Sequence, residues 1–290
     1  MLFLTQQGTE ANITVYEPEQ RTRMGFVQSW LGMARNLVRS RDLIYQLFKR
    51  DLLSTYKQSF FGIFWIVIAP LIGIVSWLFM NYAGILNPGD VGVPYPVYLL
   101  LGTTLWGAFM SFYSASASGL SSGGSLILQV NFSHEALIAQ QIAQTAVNLL
   151  VNITTFILIL ALFRVRPQWT SLFFPLTIVP IFCLAVGIGM VVAVFSVVVH
   201  DVTKVVTSFL GLLLFLTPII YGPRIPNPLI QEIIWWNPLT HLIGAARDVV
   251  LYGRIERPGG YVLAVLLSVF VFLLSWRLFF VSERRVAEKL

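Results

Sequence analysis

Charge is scarce in this chain. Only 11% of its 290 residues are Asp, Glu, Lys or Arg, 57% are hydrophobic, and the mean hydropathy is +0.78. A water-soluble domain carries about 25% charged residues, so a soluble globular protein is excluded. A disordered chain is poor in apolar residues and is excluded too. Cysteine is almost missing. Cys183 stands alone, which rules out an intramolecular disulfide and a four-thiolate metal site. The three histidines, His134, His200 and His241, are scattered and form no H-E-x-x-H, so a zinc site is not expected. No lysine follows a glycine. The loop G-x-x-x-x-G-K-[ST], which cradles nucleotide phosphates, is therefore absent.

What fills the chain instead is long apolar runs. A helix needs about 20 apolar residues to cross a bilayer. Six stretches are candidates: 60–86, 95–119, 136–163, 169–199, the shorter 205–221, and 261–281. None holds an acidic residue, and only the last holds a basic one, Arg277. Without paired carboxylates inside the membrane, no proton or sodium relay is expected. Residues 1–23 lack a basic start followed by an apolar core, so no cleavable signal peptide is expected.

The net charge of +6 sets orientation. Six spans put both termini on one side. That side carries 13 of the 19 Lys and Arg, eight of them before the first span. The positive-inside rule then places both termini in the cytoplasm. The excess is explained by topology and an anionic membrane surface, and no nucleic-acid partner is expected. The expected fold is an all-α membrane protein with six transmembrane helices. Residues 1–40 form a cytoplasmic extension, 41–59 an amphipathic interface helix, and 60–290 the six-span domain.

Two segments do not fit simple spans. At about 100° per residue, Ile44, Phe48, Leu52, Tyr45 and Tyr56 in 41–57 gather on one arc. Lys49, Asp42, Gln46, Lys57 and Arg50 gather on the other. This pattern suits a helix lying on the membrane. Asp51 breaks it: it either reaches water near a ragged helix end or meets a protein partner beneath the membrane. Segment 224–253 is too apolar for a solvated loop, and its Asn237-Pro238 is a turn signal. Two short re-entrant helices between spans five and six would fit, with Trp235 and Trp236 at headgroup level. A pair of surface helices packed on span ends is the alternative. Ser111, Ser114, Ser116 and Ser118 read as small residues for helix packing. Aromatics such as Trp77, Tyr82, Tyr98, Trp106, Phe109, Phe112 and Tyr113 either face lipid or line a path on which sugar rings stack and slide.

Three motifs carry a resemblance. The first is Arg50-Asp51-Leu52-Leu53-Ser54-Thr55-Tyr56-Lys57, continuing through Phe61-Gly62-Ile63-Phe64-Trp65 to Pro70-Leu71. The second is His200-Asp201-Val202, with Thr217-Pro218-Ile219-Ile220-Tyr221 beyond it. The third is Asn237-Pro238-Leu239-Thr240 followed by Ala246-Arg247-Asp248. In these, from about Asp42 to the C-terminus, the chain resembles the transmembrane permease subunit of ABC-2-type polysaccharide exporters. Those export O-antigen, capsule and teichoic acid. Two departures stand out. Gln129-Val130-Asn131-Phe132-Ser133-His134-Glu135 replaces a pattern close to Lys-Val-x-Phe-Pro-Arg-Glu, and His200-Asp201 replaces Arg-Asp. The first removes the basic residues of an electrostatic grip on an ATPase.

The resemblance implies a transport subunit, not an enzyme, in the inner membrane of a bacterium. Two copies would pair with two copies of a cytoplasmic Walker-A ATPase. That partner would bind ATP and Mg, and this chain would hold no cofactor or metal and no catalytic residue. Coupling to the ATPase would fall to Phe48, Asp51, Leu52 and Tyr56, to Leu128, Phe132, His134 and Glu135 in the cytoplasmic loop, and to Asp201. A channel at the homodimer interface would be lined from Trp77, Tyr82, Tyr98, Trp106, Phe109, Tyr113, Phe215 and Tyr221. Trp235, Trp236, Asn237, Pro238 and Arg247 would form the external gate. The substrate would be a lipid-linked polysaccharide, O-antigen first. An ABC-2 exporter of a drug or small lipid, and a membrane enzyme acting on lipid-linked glycans, are the rival readings.

Overall fold

A computed structural model describes residues 25–57, 64–119, 135–199 and 201–287. Among the described residues every regular element is helical. In chain order they are α1 (Phe26–Arg39), α2 (Arg41–Lys57), α3 (Phe64–Tyr82), α4 (Tyr95–Ala117) and α5 (Glu135–Leu162). A short 3₁₀ turn (Trp169–Phe173) leads into α6 (Phe174–Ser196). Then come α7 (Asp201–Leu216), α8 (Pro228–Trp236), α9 (Pro238–Leu251) and α10 (Pro258–Ala287).

The centre of the bundle is α6. Its apolar window is 61% buried, against 28% for α5 and 22% for α10. Two glycines explain how neighbours approach it so closely. A β-carbon on Gly189 would lie 2.6 Å from the Tyr113 carbonyl oxygen of α4. One on Gly187 would lie 3.0 Å from Val271 and 3.1 Å from the Phe272 backbone of α10. Small residues at a crossing let two backbones meet, which is how helices associate without a hydrophobic driving force. An aromatic ladder, Phe112–Phe182–Phe272–Trp276, ties the same three helices at centroid spacings of 5.2, 6.2 and 5.0 Å. Helix α5 flanks α4, while α3 touches α4 and α5.

Among the described residues three helices are long and apolar enough to cross a membrane: Glu135–Leu162, Trp169–Ser196 and Pro258–Ser282. They match the third, fourth and sixth expected runs. The fifth run departs from expectation. It is a 16-residue helix that starts at Asp201 and stops at Leu216, not at Tyr221. Thr217 turns its hydroxyl back to Leu213 O at 2.7 Å, and Pro218, with no N–H to donate, follows.

Segment 224–253 folds as two helices, α8 and α9. Both start with the same device. The Asn227 side chain accepts from Leu229 N and Ile230 N before Pro228, and Asn237 accepts from Leu239 N before Pro238. Asparagine caps an orphan N–H and proline fits the first helical position. Asn237 also closes α8, so the Asn-Pro turn signal marks a joint between helices. Helix α5 ends at the same end of the molecule with Arg164 at φ 55°. There Arg164 N donates to Ala161 O and Val165 N to Leu160 O, the pair of hydrogen bonds that marks a left-handed helix stop. This is the hairpin end. The opposite end holds α1, α2 and the first turn of α5.

Candidate functional site

The break after α7 is the most heavily bonded place at the hairpin end. A helix end leaves carbonyls without intrahelical partners, and a buried one left unpaired costs about 1–3 kcal/mol. Here four side chains from two other elements supply donors. Asn237 Nδ2 donates to Thr217 Oγ1 at 2.8 Å and to Leu216 O at 3.4 Å. Arg247 Nη1 donates to Pro218 O at 2.9 Å. From α4, the Tyr95 hydroxyl donates to Ile220 O at 2.8 Å and the Tyr98 hydroxyl to Tyr221 O at 2.9 Å. The second and third sequence motifs thus meet at one point.

Arg247 is only 3% exposed. Its guanidinium carbon lies 3.8 Å from the Tyr98 ring centroid, a cation–π contact that strengthens when desolvated. Gly102 makes room for it, since a β-carbon there would sit 2.6 Å from Nη2 and 3.1 Å from Ile219 O. Among the described residues Nε and Nη2 have no acceptor. Next to it, the Asp248 carboxylate accepts from Glu256 N at 2.8 Å. Burial pushes its pKa up to about 6 despite that bond. Both side chains line a cavity of about 800 Å³ beneath α8 and α9, with Trp235, His241, Tyr252 and Arg257 among its walls. Arg224 and Glu256 pair across its rim at 2.8 Å.

The opposite end holds a second cleft of about 550 Å³ between α2, α4 and α5, lined by hydroxyls, amides and one carboxylate. Asp51 stands at its mouth. Oδ1 accepts from Arg50 Nε at 2.8 Å and Oδ2 from Gln140 Nε2 at 3.1 Å. Asp51 therefore points toward the bundle and ties α2 to α5, which neither sequence reading of it foresaw. Ser111, Ser114, Gln144 and Asn148 continue the lining. The serine stripe splits in two. Ser116 is fully buried beneath Gly189 and serves packing, whereas Ser111 and Ser114 are exposed in the cleft. Gln140, Gln141, Gln144 and Asn148 fall on one arc of α5 at about 100° per residue. That polar stripe in an apolar run was a readable signal, and so was Gly102 in a run of large residues.

The other expected site residues scatter. Phe48 and Leu52 are half-buried on α2. Tyr56 lies in the last turn of α2. Glu135 is buried at the start of α5, where Asn36 Nδ2 of α1 donates to Oε1 at 3.4 Å. Asp201 is exposed at the start of α7 and pairs with Lys204 at 3.3 Å. Leu128, Phe132, His134 and His200 lie outside the described residues. Of the aromatics expected to line a channel, Tyr98, Trp106, Phe109 and Tyr113 are 9% exposed or less. They are buried within this chain, and Tyr98 also lines the cavity beneath α8 and α9. Trp77 and Tyr221 are half-buried, while Tyr82 and Phe215 are 95% and 55% exposed. Trp235 lies under the Arg257 guanidinium, Trp236 projects outward at 81% exposure, and Pro238 is half-buried.

Residues 42–251 match the model of a family described as ABC-2 type transporter. The chain is 22% identical over 265 residues to the O-antigen export system permease protein RfbA of Myxococcus xanthus, covering 89% of this chain and 98% of that protein. It is 23% identical over 228 residues to the protein of the same name from Klebsiella pneumoniae, covering 78% and 86%. It is 22% identical over 214 residues to the polysialic acid transport protein KpsM of Escherichia coli, covering 72% and 81%. With more than two thirds of its length matched, including all three motifs' central residues, this chain belongs to the ABC-2 type transporter family.

Proposed function

We propose that this chain is the membrane permease subunit of an ATP-driven exporter of lipid-linked polysaccharide, O-antigen first among candidates. The observation that carries the reading is its similarity, over 89% and 78% of its length, to relatives named as O-antigen export permeases. The polysialic acid transport relative supports a glycan substrate more broadly. With no phosphate-cradling loop in its sequence, the chain takes its driving force from a separate cytoplasmic Walker-A ATPase, which binds ATP and Mg.

In this reading the chain spans the inner membrane six times with both termini in the cytoplasm. Helices α8 and α9 then dip into the outer leaflet, and the hairpin end is external. Two copies enclose the path, with Tyr82 and Phe215 among the aromatics that reach a surface. The ATPase pushes on α2 and on the loop 120–134. The Asp51–Gln140 bond passes that push to α5. The cleft beside it offers hydroxyls and amides, the groups that hydrogen-bond a sugar without demanding a charge. At the external end the break after α7 is the moving part. Releasing Asn237 and Arg247 from it frees α7 to shift.

The test is a deletion strain. The expected result is polymer of unchanged chemistry retained inside the cell, restored to the surface by the chain together with its ATPase. Altered polymer would point to an enzyme, and normal surface polymer would overturn the assignment.

A further inference from the structure

Helix α1 precedes the family match, and no role has been assigned to it. It carries three sectors. Ser29 and Met33 are buried, with Trp30, Gly32, Asn36 and Leu37 half-buried beside them. This sector packs on the bundle. Trp30 Nε1 donates to Leu273 O at 3.2 Å, the Arg277 guanidinium lies 3.8 Å from the Phe26 ring centroid, and Gly32 admits the Phe280 ring. Asn36 holds Glu135 at the start of α5. A second sector, stepping about 100° per residue, holds Val27, Leu31, Ala34 and Val38. Val27, Leu31 and Val38 are 62%, 60% and 67% exposed. The third sector holds Gln28, Arg35 and Arg39, all exposed. The helix has no acidic residue.

An apolar stripe beside a basic stripe, on a helix already anchored along a third face, matches the boundary between acyl chains and headgroups. Its contacts on α10 fix the depth. Leu273 lies about 6 Å along the helix axis from Arg277. Arg277 is the basic residue at the end of an otherwise uncharged run, and Glu283, Arg284 and Arg285 follow it. Helix α1 therefore crosses α10 where the run meets water.

We propose that α1 is a lipid-seated strap. Val27, Leu31 and Val38 enter the acyl region of the leaflet on the side of the termini, and Arg35 and Arg39 bind the phosphates of anionic phospholipids there. This rests on the membrane topology proposed above but not on the substrate or the ATPase. Because α1 also holds α10 and the start of α5, it ties that leaflet to the helix that leaves the cytoplasmic loop.

The test uses the full chain with Cys183→Ala, in nanodiscs of zwitterionic lipid with or without phosphatidylglycerol. Spin labels are placed by Leu31→Cys, Val38→Cys and Gln28→Cys. The proposal expects labels at 31 and 38 to be more accessible to oxygen than to a nickel chelate, and the reverse at 28. Equal nickel access at all three positions would overturn it, as would strong spin–spin coupling at 31 and 38, which marks a seam between two copies. In native mass spectrometry, Arg35→Gln with Arg39→Gln should cut retained phosphatidylglycerol by about fivefold per arginine, while Arg35→Lys with Arg39→Lys keeps it. Equal retention in all three proteins would sink the headgroup contact. A Gln28→Cys thiol labelled from outside the cell by an impermeant reagent would overturn the topology, and the strap with it. That failure is distinct from loss of lipid selectivity alone.

Discussion

The two ends of this molecule treat polar groups in opposite ways. At the hairpin end, Asn237, Arg247, Tyr95 and Tyr98 are spent on the backbone carbonyls of one broken helix end. At the other end, Ser111, Ser114 and Gln144 line an open cleft, and Asp51 with Gln140 and Ser118 with Gln141 bond across it. The first arrangement holds a particular geometry, because each donor has a buried acceptor that suffers if it leaves. The second leaves Ser111, Ser114 and Gln144 facing an open cleft. A transporter needs both: one end that stays shut until driven, and one end that receives.

Replacing Arg247 should break this contrast most strongly. Arg247→Ala leaves Pro218 O with only the longer bond from the Tyr98 hydroxyl at 3.4 Å and empties the space over Tyr98. A loss of about 2–5 kcal/mol is expected for a buried long side chain cut back to a methyl group together with its hydrogen bond. Thermal unfolding in detergent reads it as a large fall in Tm. If Arg247→Ala costs no more than Asp51→Asn, the two ends are not built differently. Gly102→Val comes next. Its side chain must displace the guanidinium and crowd Ile219 O, an overpacking expected to cost about 1–3 kcal/mol. A variant that melts with the wild type would show that Arg247 does not need that gap.

A smaller effect concerns pH. The Asp248 carboxyl titrates at about 6, above its ordinary value of 3.8, because burial disfavours its charge. The native state therefore holds this proton more tightly than the unfolded chain does. The resulting contribution to stability is complete below about pH 4 and is lost as pH rises through about 6. Asp248→Asn should flatten the melting profile across that window. An unchanged slope would mean that Asp248 is not the group responsible. The smallest stability effect belongs to the cleft. Asp51→Asn should shift stability by no more than about 1 kcal/mol, as for partly exposed pairs, yet lower export while leaving the ATPase turning over. A variant with full export would remove Asp51 from coupling.

Much of the chemistry of the hairpin end was legible before the fold. Asn237, Pro238 and Arg247 stood out in the sequence, and the Thr217-Pro218 step lay at the end of the fifth run. What sequence spacing cannot supply is convergence. That Arg247 meets Pro218, 29 positions away, depends on how α9 crosses α4. The aromatic candidates show the same limit from the other side. Tyr98 and Tyr82 look alike in an apolar run, yet one is 1% exposed and the other 95%, because only one faces α7 and α9. The sequence reads α2 as a helix lying on the membrane, with Asp51 inside its apolar arc. In the structure that aspartate accepts from Gln140, a glutamine of the polar stripe of α5. Helix α1 carries one apolar arc at about 100° per residue, Met33, Leu37, Trp30, Ala34, Val27, Val38 and Leu31 in turn, but sequence alone does not divide that arc into a face packed on α10 and a face left exposed.

The central claim is that this chain moves a lipid-linked glycan only when a separate ATPase drives it. Proteoliposomes holding the chain with or without its ATPase, loaded with a lipid-linked polysaccharide, test it directly. The account predicts ATP-dependent movement of the polymer across the bilayer only when both subunits are present. Movement by this chain alone, without ATP, would contradict it.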